Sequence, residues 1–201
     1  MRALIAVACL VLVAACGTDT TDSATDGGSA KPDKPTAVPA AEGPVVGLGT
    51  VIDQEAGPEL CLGPVAESYP PQCQGLPLDG WDWAEHRGDF DNAGGVRFGT
   101  FVVTGGFDGT TLTYESAVAG ALYDPMPRPE PTSSAAEQHS ASELEAIGQE
   151  LQVLPGMLST VPGDNLLVVD VVHDDGSLQD WADATYGAGL VFVHAALAPA
   201  G

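Results

Sequence analysis

The body of this chain has no lysine. Residues 44–201 carry 23 acidic side chains against three basic ones, Arg87, Arg97 and Arg128, and the 201-residue chain has a formal charge of −22. Such a surface repels phosphate backbones and anionic lipid headgroups, which argues against nucleic acid as a partner and leaves cations or a basic protein as the attracted class. Without lysine there is no Ser-x-x-Lys acylating centre of the penicillin-binding kind. The sequence also lacks a G-x-S-x-G elbow, an H-E-x-x-H pair and a glycine-rich phosphate loop. Its apolar run at residues 3–15 is shorter than the roughly 18–20 residues that a permanent membrane-spanning helix needs.

That run has the layout of an export leader. Arg2 supplies a positive start, Leu4, Ile5, Val7 and Leu10 to Val13 supply the apolar middle, and small Ala14 and Ala15 precede Cys16. The segment Leu12-Val13-Ala14-Ala15-Cys16 resembles the lipobox of bacterial lipoproteins. The resemblance implies cleavage of residues 1–15, a diacylglyceryl thioether on Cys16, and attachment to the outer face of the cell membrane through an N-terminal lipid, since two acyl chains suffice for stable anchoring. Residues 16–43 are polar, rich in Gly, Ser, Thr, Pro and Asp and without apolar periodicity, so they are expected to form a disordered tether.

Cysteine is scarce, and each of the four has its own expected fate. Cys9 leaves with the leader and Cys16 takes the lipid, which leaves Cys61 and Cys73. An exported chain with two remaining cysteines is expected to pair them. A metal or catalytic role is the weaker alternative, because no C-x-x-C spacing or neighbouring histidine accompanies them.

The periodicity predicts an α+β protein: a small antiparallel sheet or barrel over residues 44–123, a proline-rich linker over 124–136, and an α-β-α-β unit with a parallel strand pair over 137–201. In the first region Val96 to Phe107 alternates, with Phe101, Val103 and Phe107 on one face and Gly105 marking a close approach or bulge. Asp108-Gly109 then turns the chain into a second strand. In the last region Ser142 to Glu145 is expected as a capping box, with Leu144, Ile147, Leu151 and Leu154 at helical spacing. Leu166 to Val172 is nearly continuous and apolar, the pattern of a strand covered on both faces. Ser177 is expected to cap a helix that leads to a strand at Leu190–His194.

Several motifs resemble a set of secreted actinobacterial lipoproteins with no known activity. They are Cys61-Leu62-Gly63, Ser68-Tyr69-Pro70-Pro71-Gln72-Cys73, Gly80-Trp81-Asp82-Trp83, Asp108-Gly109-Thr110 and Asp174-Asp175-Gly176-Ser177-Leu178-Gln179. The resemblance bears on localisation and implies no mechanism.

Two constellations carry chemistry. Asp82, Glu85, His86, Asp89, Asp91 and Asn92 form an acidic cluster, but Ala93 and Thr100 occupy the fifth and twelfth positions counted from Asp89. A calcium loop therefore fails, and no metal or other cofactor is expected. Asp170 and His194 each lie four residues after the first leucine of their strand, Leu166 and Leu190. Pairing in that register sets the two side by side on one face, where a carboxylate orients an imidazole and favours its charged form. They are the candidate acid/base pair, with a structural polar pair as the favoured alternative. The expected function is a lipid-anchored, extracytoplasmic, non-catalytic binding or envelope-interaction protein. The alternative is a small extracytoplasmic hydrolase with His194 or His86 as base.

Overall fold

A computed structural model describes residues 32–124 and 131–201. The leader, Cys16 and most of the tether lie outside the described residues, as does the centre of the proline-rich linker, residues 125–130. The described residues belong to one compact unit, Lys31–Gly201. The class is α+β, with two sheets and two α-helices among the described residues.

The larger sheet closes on itself. Strands β1 (Val45–Gln54), β2 (Gly57–Cys61), β3 (Leu76–Asp79), β5 (Val96–Phe107) and β6 (Leu112–Ala119) pair in the order β1–β2–β3–β6–β5, and β5 returns to β1 over Val45–Asp53. Every pairing in this barrel is antiparallel except β3 with β6. Between β3 and β5 lie a 3-10 turn at Trp83–His86 and a short strand, β4 (Asp91–Ala93), which pairs with β5. Alternation on β5 puts Phe101, Val103 and Phe107 in the barrel core with Val51, Leu60 and Leu112. The bulge falls between Thr104 and Gly105, where a Cβ on Gly105 would meet the Thr113 carbonyl oxygen. Asp108 builds the following turn by accepting from the amides of Thr110 and Thr111 and from the Thr110 hydroxyl.

The smaller sheet consists of β7 (Met157–Pro162), β8 (Leu167–Val171) and β9 (Val191–Ala195), in that order. Helices α1 (Ala141–Leu151) and α2 (Ser177–Tyr186) cover one face of it. Leu144 and Leu151 of α1 and Leu178, Trp181 and Ala182 of α2 bury Leu167, Val169 and Val171. The parallel β8–β9 pair agrees with the expectation, but β7 adds an antiparallel neighbour that the prolines at 155 and 162 had concealed. Pro162 is tolerated because it ends an edge strand. The continuous apolar run at residues 166–172 is therefore covered on one face only: Val168 and Asp170 point away from the helices and are partly exposed.

The helix starts also differ from expectation. The capping box is Ser140 with Glu143: Ser140 Oγ accepts from the Glu143 amide, and the Glu143 carboxylate accepts from the Ser140 amide. Gly176, left-handed at φ 101°, precedes α2, and carboxylates do the capping there. Asp174 accepts from the amides of Leu178 and Gln179, and Asp175 from that of Ser177. The outer edge of β9 is closed by one side chain. Gln179 donates to the Val191 carbonyl and accepts from the Val193 amide, so it stands in for a neighbouring strand.

The C-terminus joins the two layers. After β9 the chain continues into β10 (Ala198–Pro199), which pairs with Val45 and Val46 of the barrel, and Leu197 is fully buried in the barrel core. Packed structure at the N-terminal side begins before residue 44. Ala41 donates its amide to the Phe107 carbonyl, Val38 packs on the barrel core, and Lys34 lies 6.0 Å from the centre of the Trp181 ring.

Three capping carboxylates tie stability to acid pH. Asp108 is held below the usual carboxylate range by the amide and hydroxyl of Thr110 and the amide of Thr111. Glu143 is lowered by the Ser140 amide and hydroxyl, and Asp175 by the Ser177 hydroxyl and amide. Each lowered value contributes stability above the ordinary carboxylate pKa of about 4 that is lost as pH falls through the folded-state value. Urea midpoints are expected to fall below pH 4, and less steeply in Asp108→Asn, which keeps an acceptor without the charge. An identical slope in the variant contradicts the assignment.

Candidate functional site

The open face of the smaller sheet carries two rows of side chains. Cross-strand pairing aligns Ser159 with Asp170 and Asp170 with His194, the register expected from the sequence for the latter two. Two positions along on the same face, it aligns Val161 with Val168 and Val168 with Phe192. A polar row thus lies beside an apolar one. Val161 is 53% exposed and Phe192 40%.

Asp170 is the centre of the polar row. Its Oδ2 accepts from Ser159 Oγ at 2.6 Å, and its Oδ1 lies 2.7 Å from His194 Nδ1. The imidazole and carboxylate side chains are each about a third exposed (31% and 30%). An ion pair at that exposure contributes at most about 1 kcal/mol, so stability alone gives little reason for a polar row on the sheet. The row opens into a cleft of about 280 Å³, whose far wall is Leu62, Gly63 and Pro64 from the disulfide loop of the barrel. Chemically the order is Ser–Asp–His. The serine proton goes to the carboxylate and not to the imidazole, whereas an activated serine needs its base at hydrogen-bond distance.

The other sequence candidates go elsewhere. Cys61 and Cys73 are disulfide-bonded, with Cα atoms 6.1 Å apart, so neither serves as a metal ligand or nucleophile. His86, the alternative base, is buried in the barrel's aromatic cluster. It stacks on Trp81 with ring centres 4.1 Å apart, and its Nε2 lies 3.3 Å from the Tyr114 hydroxyl. That hydroxyl also reaches Glu85, and burial together with the Glu85 charge raises the Tyr114 pKa. Trp81 and Trp83 are buried in the barrel core and present no aromatic surface to a partner. Trp83 donates its indole N–H to Asp53, and Arg97 pairs with the same carboxylate oxygen while standing 5.6 Å over the Trp83 ring. One of the three basic side chains of the body is thereby committed to the barrel. Asp82 of the acidic cluster caps the 3-10 turn by accepting from the Ala84 amide. Among the described residues no three potential metal ligands converge.

Sequence reasoning missed Ser159, Val161, Val168 and Phe192 as site residues. The first two sit on β7, which the flanking proline-glycine pairs disguised as loop, although Met157, Leu158, Thr160 and Val161 are apolar or β-branched residues suited to a strand. Comparison with protein-family models, curated proteins and solved structures finds no match to this chain. The Cys61–Cys73 disulfide fits maturation in an oxidising, extracytoplasmic compartment. Among the described residues no helix is long and apolar enough to cross a membrane.

Proposed function

We propose that this chain is a lipid-anchored protein of the outer face of the cell membrane, held by Cys16, and that it acts as a non-catalytic binding or envelope-interaction module. The open face of the smaller sheet is its interaction surface. The observation that carries this reading is the position of Asp170 between Ser159 and His194. The carboxylate takes the serine hydroxyl away from the imidazole, which leaves a hydrogen-bonding row beside a hydrophobic one rather than a nucleophile with its base. Mixed surfaces of this kind, with an aromatic anchor and adjacent polar groups, suit recognition. The strongly acidic body favours a basic partner by long-range attraction.

The hydrolase reading keeps one observation in its favour, the closeness of serine, carboxylate and imidazole. Capture of partners from the native envelope separates the two. Phe192→Ser and Asp170→Ala are expected to lose a partner that wild type and Leu48→Ser retain, because Leu48 is exposed on the barrel wall instead. A partner retained by both face variants contradicts the surface. Ester or amide hydrolysis that disappears in His194→Ala contradicts the non-catalytic reading.

A further inference from the structure

The seam between the barrel and the smaller sheet holds a second cleft, of about 300 Å³ and open to solvent on one side. Leu62, Leu76 and Phe107 line it from the barrel side, and Met157, Leu158 and Val172 from the other. Among the described residues no ionisable side chain lines it, although the body carries 23 acids. Among the described residues, polar side chains reach its wall from Gln74 and Thr110.

Its remaining wall is the chain segment before β1. Val38 lines the cavity, and the segment is fastened on either side by the Ala41–Phe107 hydrogen bond and the Lys34–Trp181 contact. Two left-handed glycines let it lie close. A Cβ on Gly109 would come within 2.8 Å of the Val38 carbonyl oxygen, and one on Gly156 within 2.7 Å of its side chain. This strap belongs to no sheet, so it is the wall that can move without breaking a strand ladder.

We propose that the seam cavity is a binding site for a small neutral molecule that is mostly hydrocarbon, with the strap of residues 34–41 as its movable wall. Cavity size sets the ligand's size. An apolar cavity of about 150 Å³ holds benzene, so one near 300 Å³ holds a chain of roughly eight carbons, at the small end of ligand pockets. Charge sets its class. An ionised group among these side chains would find no counter-charge and would lose its hydration, whereas a hydroxyl or ester oxygen can accept from the Gln74 amide, the Thr110 hydroxyl already donating to Asp108. Placement at the junction of two packed layers is also where ligand sites concentrate.

The test titrates 1-octanol, and separately sodium octanoate, into the chain without its first 30 residues and follows methyl resonances. Octanol is expected to shift Met157, Val172 and Val38 saturably while leaving Val161 and Val168 on the open face unmoved. Octanoate is expected to bind at least tenfold more weakly. Val172→Phe and Leu76→Phe, which fill the space, are each expected to weaken octanol at least tenfold. Shifts that stay linear to the solubility limit overturn the site. Equal affinity for octanoate overturns the neutral class. Because that comparison uses the unsubstituted chain, it decides the matter even where a filling variant fails to fold.

Discussion

Asn165→Ala is expected to destabilise the protein by about 3 kcal/mol, more than a hundredfold in the folding equilibrium. Asn165 is buried at the turn between β7 and β8 with a left-handed backbone, φ 55°, a conformation that asparagine tolerates and that costs alanine about 1–2 kcal/mol to adopt. Its side chain also fastens the end of the proline-rich linker and the residues that follow it. Oδ1 accepts from the His139 amide at 2.6 Å, and Nδ2 donates to Ser133 Oγ and to the Glu137 carbonyl. Each partly buried group left without its partner costs about 1–3 kcal/mol, less where water reaches it. With a urea slope of about 2 kcal/mol/M, the midpoint should fall by roughly 1.5 M. Asn165→Gly relieves the backbone cost but not the lost bonds, so it should recover only part of the loss. A midpoint within about 0.3 M of wild type contradicts this role.

Reduction of the Cys61–Cys73 disulfide should cost a similar amount. The two cysteines are 12 residues apart in sequence, and cross-linking a loop of that size stabilises by about 3 kcal/mol on the chain-entropy account. For a chain of this length that corresponds to a melting temperature lower by roughly 6–12 °C. The effect extends to the site, because Leu62, Gly63 and Pro64 of the same loop wall the cleft beside Asp170 and His194. Tyr69, at the loop's outer end, meets Phe98 of the barrel edge-on at 5.4 Å. The double variant Cys61→Ala with Cys73→Ala should therefore melt like the reduced protein. A melting temperature unchanged by reductant, with two free thiols shown by mass, contradicts the account.

Much of the fold could be read from local pattern. The Phe101–Phe107 alternation, the break at Gly105 and the Asp108-Gly109 turn are sequence-local signals, and the structure places each where the residues indicate. The Asp170–His194 register was legible for the same reason, since parallel strands that begin at matched leucines also align their later residues. The elements that escaped were decided by tertiary neighbours. Pro155-Gly156 and Pro162-Gly163 look like loop punctuation, and only the pairing of β7 with β8 turns the residues between them into a strand. Without β7, Ser159 had no visible relation to Asp170, so the pair looked closer to an acid/base couple than the three-residue row does. The polar composition before residue 44 likewise concealed the strap, because Val38 and Ala41 are isolated apolar residues whose partners, Phe107, Gly109 and Gly156, lie far along the chain.

On the function proposed here, a lipid on Cys16 holds this acidic protein at the membrane. Metabolic labelling with palmitate, followed by membrane fractionation of wild type and Cys16→Ser, tests it most directly. The account predicts that wild type carries label and sediments with membranes, whereas Cys16→Ser carries none and, once exported, is found entirely in the soluble fraction. Label on the variant, or an unlabelled variant that still sediments with membranes, would contradict it.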